Sequence, residues 1–203
     1  MYDYLIKEYG TDTPIFVSDV SVPDMSQNAV RQYFMRLCKD GKLKRYDTGV
    51  YYIPTKTVFG TDSTLSRNQV IQKKYLETKD GEVCGFYTGM QLLNSVGLTT
   101  QVPAVYEIST NAASKDYREV NMTGVRIALI KPRTEITKEN CDVLQFLDLL
   151  LAADTAAEVS EEECKKIVGL CKKQMNITKE KVKKNIIYYP ERIYRCLYER
   201  EVF

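Results

Sequence analysis

The sequence predicts an α+β protein, on three observations. Within the first 56 residues a helical apolar pattern is followed by two short β-prone runs on either side of Asp47-Thr48-Gly49. Val105 to Ser109 and Val125 to Ile130 alternate apolar and polar residues, the period of a half-buried strand. From Thr137 onward the apolar spacing becomes helical, in segments that start on Thr or Ser and carry acidic residues in the next turn. At 203 residues the chain has the length of one to two domains. With 44% apolar and 28% charged residues it can build a packed core.

Tyr2 to Tyr9 reads as a short helix, apolar along Leu5, Ile6 and Tyr9 and stopped at Gly10. Thr13 to Val17 leads to a short turn or helix at Ser18 to Ser21. A second helix follows, with Asp24 or Ser26 as its N-cap, and runs to about Lys39 before Asp40-Gly41. Val30, Phe34 and Leu37 form one apolar stripe on it, while Gln27, Asn28, Arg31, Gln32, Arg36 and Lys39 occupy the opposite face. Leu43 to Tyr46 and Val50 to Ile53 read as two strands around a tight turn. Helix, short turn or helix, capped basic helix, then hairpin is the element order of a winged helix-turn-helix, assigned to residues 1–56. The polar stretch 57–64 reads as a linker, and 65–203 as a mixed α/β domain ending in a helical bundle.

Within that second domain, Leu65 to Thr78 has helical spacing and Val83 to Tyr87 is strand-like. Thr88 can cap a helix through Val96 that stops at Gly97. Val105 to Ser109 is expected to pair with Val125 to Ile130, with a polar turn at Asn111 to Asp116 between them. Four helices follow, at roughly 137–153, 159–174, 178–188 and 190–200, with Thr137, Ser160 and Thr178 as N-caps. Val143, Phe146, Leu147 and Leu150 form one core stripe, and Ile167, Leu170, Cys171 and Met175 another.

Composition excludes several classes of chemistry. There is no histidine, which removes imidazole acid–base catalysis, Ser-His-Asp and Cys-His pairs, and imidazole zinc sites. The six cysteines contain no C-x-x-C pair and read as buried thiols. Phosphate-loop, dinucleotide-binding and nucleophile-elbow motifs are all missing. Gly85-Phe86-Tyr87-Thr88-Gly89 reads as a strand-to-helix turn. Asp142 and Asp148, six residues apart, fall on different helix faces. The expectation is therefore a protein that is not an enzyme, with no catalytic residue, no metal site and no cofactor. No apolar run is long enough to span a bilayer and the N-terminus lacks the pattern of a signal peptide, so a cytoplasmic protein is expected.

The overall net charge of +2 conceals a strong regional pattern: residues 26–56 carry +5, 137–163 carry −7 and 164–203 carry +7. The first basic segment coincides with the capped helix and hairpin. Gln27, Asn28, Arg31 and Gln32 are the side-chain types that bond base edges in a major groove. Lys42, Lys44 and Arg45 are placed to neutralise phosphates, and Tyr46 to pack on the sugar-phosphate backbone. A solvated helix face, or a helix-turn-helix used for protein docking, would show the same residues. Near the C-terminus, Tyr188, Tyr189, Tyr194 and Tyr198 lie among Lys181, Lys183, Lys184, Arg192 and Arg195. That mixture suits a protein contact, a nucleic-acid contact or ordinary helix packing.

The stretches Ser26 to Arg31 and Leu43 to Tyr52 resemble the winged helix of AbiEi-type antitoxins. Gly85-Phe86-Tyr87-Thr88-Gly89, Leu92-Leu93-Asn94, Gly97-Leu98-Thr99-Thr100-Gln101-Val102-Pro103 and Tyr106 to Asn111 resemble the start of that family's second domain. The resemblance implies a bacterial type IV toxin–antitoxin system of the abortive-infection kind. On that basis the winged helix represses its own promoter at inverted repeats in double-stranded DNA, through Gln27, Asn28, Arg31, Lys44 and Arg45. The second domain counters a nucleotidyltransferase toxin encoded by the adjacent gene, without needing a stable complex. Two alternatives stand beside it. One is a winged-helix transcription regulator whose C-terminal domain binds a ligand or mediates dimerisation; the other is a nucleic-acid-modifying enzyme or its subunit.

Overall fold

A computed structural model of the chain describes residues 1–156 and 160–202. It is α+β, with eight α-helices and two small sheets among the described residues. The chain divides into two compact units, 1–74 and 75–203.

In the first unit, α1 (Tyr2–Tyr9) ends at Gly10 as expected, and β1 (Ile15–Phe16) follows. The segment from Val17 to Ser26 runs through turns, with no helix at Ser18 to Ser21. Helix α2 (Gln27–Lys39) is capped by Ser26, whose Oγ accepts the Ala29 amide. Strands β2 (Lys44–Asp47) and β3 (Val50–Tyr52) form the hairpin, and β1 joins it antiparallel in the order β1-β3-β2. Leu5, Ile15, Val30 and Phe34, each 0% exposed, anchor a core between α1, α2 and the sheet.

The segment expected as a linker is instead folded within this unit. Lys56 and Asp62 form an antiparallel bridge, and Ser63 donates its amide to the Thr55 carbonyl at 2.8 Å. Asp12 accepts the hydroxyls of Thr55 and Ser63, and the Tyr52 hydroxyl donates to the Ser63 carbonyl at 2.9 Å. The boundary moves to Lys74/Tyr75, inside the predicted 65–78 helix. That helix is α3 (Arg67–Ile71), with a Ser66–Gln69 capping box, continuing as one π-helical stretch over Gln72–Leu76.

In the second unit, β4 (Gly85–Tyr87), α4 (Gly89–Ser95), β5 (Val105–Thr110), β6 (Tyr117–Met122) and β7 (Val125–Ile130) build a sheet of order β4-β5-β7-β6. The expected pairing of β5 with β7 is present and parallel. Strand β6, which follows directly on the polar turn expected at Asn111 to Asp116, pairs antiparallel with β7 at the sheet edge. Its side chains are mostly exposed and include Arg118 and Glu119, the composition of a protected edge rather than of a half-buried strand.

Helix α5 (Cys141–Thr155) starts later than predicted: the turn before it is held by Asn140, which accepts the Thr137 amide and donates to the Glu135 carbonyl. Thr137 is thus not its cap. Helix α6 (Glu161–Gln174) and α7 (Lys179–Asn185) are capped by Ser160 and Thr178 as expected, and α8 is Arg192–Glu199. The expected start of the second of these helices at Val159 lies outside the described residues. Val143, Phe146, Leu147 and Leu150 are buried, but α6 turns Cys164, Val168 and Cys171 inward and leaves Leu170 half exposed. All six cysteines are free thiols, four of them buried.

The β4–α4 turn has an unusual division of labour. Thr88 occupies the N-cap position of α4, yet its hydroxyl makes no cap and donates to Asp148 Oδ2 of α5 at 2.9 Å. The end of α4 is served by Glu107 of β5, whose Oε2 accepts the Met90 amide at 2.9 Å. Gly89 sits between them at φ 56°, and a Cβ there would fall inside the Glu107 carboxylate. Gly89→Ala should therefore destabilise the protein by about 2 kcal/mol or more, from left-handed strain and displacement of Glu107. Urea unfolding measures this, and an unchanged midpoint would contradict the arrangement.

Candidate nucleic-acid interface

Helix α2 is fixed from below. Val30, Phe34 and Leu37 are buried, and Phe34 meets Tyr51 of β3 edge-to-face, ring centroids 5.1 Å apart. This contact sets the helix against the hairpin and leaves Asn28, Arg31, Gln32, Arg36 and Lys39 exposed on one side. All of these except Asn28 and Gln32 are cationic, so the face is polar and positive.

The predicted contact residues have different local roles. Gln27 donates its side-chain amide to the Val20 carbonyl at 3.0 Å and ties the start of α2 to the preceding turn. Asn28 accepts from Arg31 Nη1 at 3.2 Å, an i,i+3 pair on the exposed face. Gln32 is exposed on the same side. Lys42, beyond the end of α2, places its ammonium 5.2 Å from the Tyr2 ring centroid. Arg45 folds onto its own hairpin turn, donating to the Asp47 carbonyl and the Thr48 hydroxyl. Its charge also reaches Cys38 of α2, whose thiol is pushed up by burial against that opposing influence. Tyr46 is half-buried on β2.

Lys44 is committed to an ion pair. Its Nζ lies 2.8 Å from Asp62 Oδ2, and Lys56 Nζ lies 2.6 Å from Oδ1 of the same carboxylate. Asp62 thus bridges the hairpin strand β2 to the 55–63 loop. The two ammonium groups hold its carboxyl down to about 2. Asp62 and Asp12 are the residues at this surface that the sequence pattern does not single out; Lys56 falls within the basic run 26–56. At the tip of the loop Val58 and Phe59 are 95% and 89% exposed.

These features define the class: an α+β protein whose N-terminal unit presents an exposed polar and cationic helix beside a hairpin tied through Lys44 and Asp62 to the following loop. The chain belongs to a family of unknown function, DUF6088, whose model matches residues 4–181. No curated protein matches the sequence. No helix among the described residues is long and apolar enough to cross a membrane.

The depressed carboxyl has a directional consequence. A folded pKa below the unfolded value adds stability above the ordinary carboxylate range and loses it as pH falls toward about 2. An NMR titration of the Asp62 side-chain carboxyl carbon should therefore show a midpoint near 2. A midpoint in the ordinary range of about 4 would show that the lysine pairs do not form in solution.

Proposed function

We propose that this chain is a double-stranded-DNA-binding transcriptional regulator whose N-terminal unit works as a winged helix-turn-helix. The observation that carries the reading is the exposed face of α2, where Asn28, Arg31 and Gln32 stand together above a buried apolar stripe locked to the hairpin. In this reading α2 enters the major groove. Arg31, released from Asn28, bonds guanine, and Asn28 and Gln32 are suited to adenine. Lys42, Lys44 and Arg45 supply phosphate contacts, with Tyr46 against the backbone, while Gln27 keeps the helix start in place.

The second part of the proposal rests on the motif resemblance to AbiEi-type antitoxins. It holds that the chain represses its own promoter at inverted repeats and counters a nucleotidyltransferase toxin, in the cytoplasm and without catalysis of its own. Co-expression with the product of the adjacent gene tests it through growth: rescue supports an antitoxin, and toxicity left untouched removes that part. A regulator whose C-terminal unit binds a small ligand is the second reading, favoured by a cavity in that unit.

Two variants address DNA binding by fluorescence anisotropy on promoter fragments. Arg31→Ala should weaken specific binding by roughly 1–3 kcal/mol and relax preference at one base pair. An unchanged preference takes Arg31 out of the base-reading set. Asp62→Asn frees Lys44 and Lys56, so the log–log salt dependence should steepen by about one for each lysine that reaches a phosphate. A slope identical to that of the unaltered protein would place both lysines away from DNA.

A further inference from the structure

The second unit contains a cavity of about 370 Å³, within the roughly 300–1,000 Å³ range of small-molecule sites. Phe86, Leu144, Leu151 and Ala152 give it apolar walls. Three kinds of polar group face it. Asp148, on α5, lines it with Oδ2 taken by Thr88 and Oδ1 4.0 Å from Arg133 Nε, too far for a hydrogen bond. Ser109, on β5, is 3% exposed and lines the cavity beside it. Lys131, Arg133 and Arg192 add three cations to the lining, and Lys131 and Arg192 form no ion pair among the described residues.

The cavity has a built interior. The Tyr189 hydroxyl donates to the Leu144 carbonyl at 2.8 Å, and Arg133 lies 5.0 Å from the Tyr189 ring centroid. Tyr189 therefore serves as a wall on which Arg133 rests, with its guanidinium between the ring and Asp148. Among the described residues, the groups left to meet a ligand are Asp148 Oδ1, which no protein donor within hydrogen-bond distance reaches, and the two cations without an ion pair, Lys131 and Arg192. A complementary ligand carries a hydrogen-bond donor for Asp148, an apolar flat body for the walls and an anion for the cations.

We propose that this cavity is a mononucleotide-binding site, in which Asp148 accepts the exocyclic amino group of the base and Lys131, Arg133 and Arg192 receive the phosphate. A phosphate dianion suits three cations better than a single carboxylate does. Adenine, guanine and cytosine carry an amino donor for Asp148, whereas the single edge donor of uracil, N3–H, is flanked on both sides by carbonyl oxygens that a carboxylate repels. The site is separate from the DNA-reading surface, and its test uses no DNA.

Isothermal titration calorimetry of the full chain with AMP, GMP, CMP and UMP, and with inorganic phosphate and free amino acids as comparators, tests the proposal. The expected result is saturable binding of the three amino-bearing nucleotides, with UMP at least about tenfold weaker. Lys131→Ala, at an exposed position, should weaken binding about tenfold. Ala152→Met should block the cavity while circular dichroism stays unchanged. Ser109→Ala should weaken binding less than Lys131→Ala. Equal affinity for UMP or for inorganic phosphate overturns the base-recognition half. Preference for a free amino acid, no binding at millimolar nucleotide, or binding that both Lys131→Ala and Ala152→Met leave unchanged, overturns the site.

Discussion

The second unit is organised around one constraint: helix α5 is buried nearly all round, yet it carries polar side chains that must be satisfied. Eight of its residues, from Val143 to Ala153, are buried. Gln145 donates to the Tyr87 carbonyl, Asp148 accepts from Thr88, and Asp154 accepts from Arg195. Each partner comes from a different place: the end of β4, the N-cap position of α4, and α8. The polar groups therefore fix the position of α5 among its neighbours, where apolar packing alone would tolerate sliding. The cost is local. Thr88 is diverted from capping α4, Glu107 must reach across from β5 to do so, and Gly89 must take a left-handed conformation to let it in.

A comparable economy of partners holds the first unit together. The Phe34–Tyr51 contact fixes α2 on the hairpin, and Asp12, itself at φ 54°, gathers Thr55 and Ser63. Hydroxyl donors hold the Asp12 carboxyl below its ordinary value, as the lysines do for Asp62. Asp62 ties the hairpin to the 55–63 loop, and Asp12 ties that loop to the segment before β1. The exposed face of α2 is left out of these networks except for the Asn28–Arg31 pair, so its side chains can be redirected without disturbing the core.

What was legible in the sequence is what depends on neighbours along the chain. The Ser26, Ser160 and Thr178 caps, the Val30–Phe34–Leu37 stripe, the turn at Gly49 and the two alternating strands β5 and β7 all follow from local pattern. The failures are long-range. Residues 57–64 look like a polar linker because the carboxylate that helps to fold them, Asp12, lies more than forty positions away. Strand β6 lacks apolar alternation because it is an exposed edge. For Tyr189 the packing alternative holds: its ring is buried and its hydroxyl bonds the backbone of α5. The candidate cavity was invisible for the same reason: Ser109, Arg133, Asp148 and Arg192 come from four separated segments.

Asp148 shows how such a position can be recognised from physics. Burial pushes its carboxyl above the ordinary range, against the opposing pull of Thr88, the Tyr189 hydroxyl and Arg133. Its contribution to stability therefore falls as pH rises through that raised value, the reverse of a well-paired surface carboxylate such as Asp62. An apolar residue of similar size would extend the α5 seam without this penalty. The carboxylate is thus a poor choice for packing and a good one for presenting an acceptor to the cavity. Thr88 satisfies only one of its oxygens, and the nearest cation stops short of hydrogen-bonding the other. Asp148 thus does two things at once: through Thr88 it helps to fix α5, and its second oxygen faces the half-open cavity.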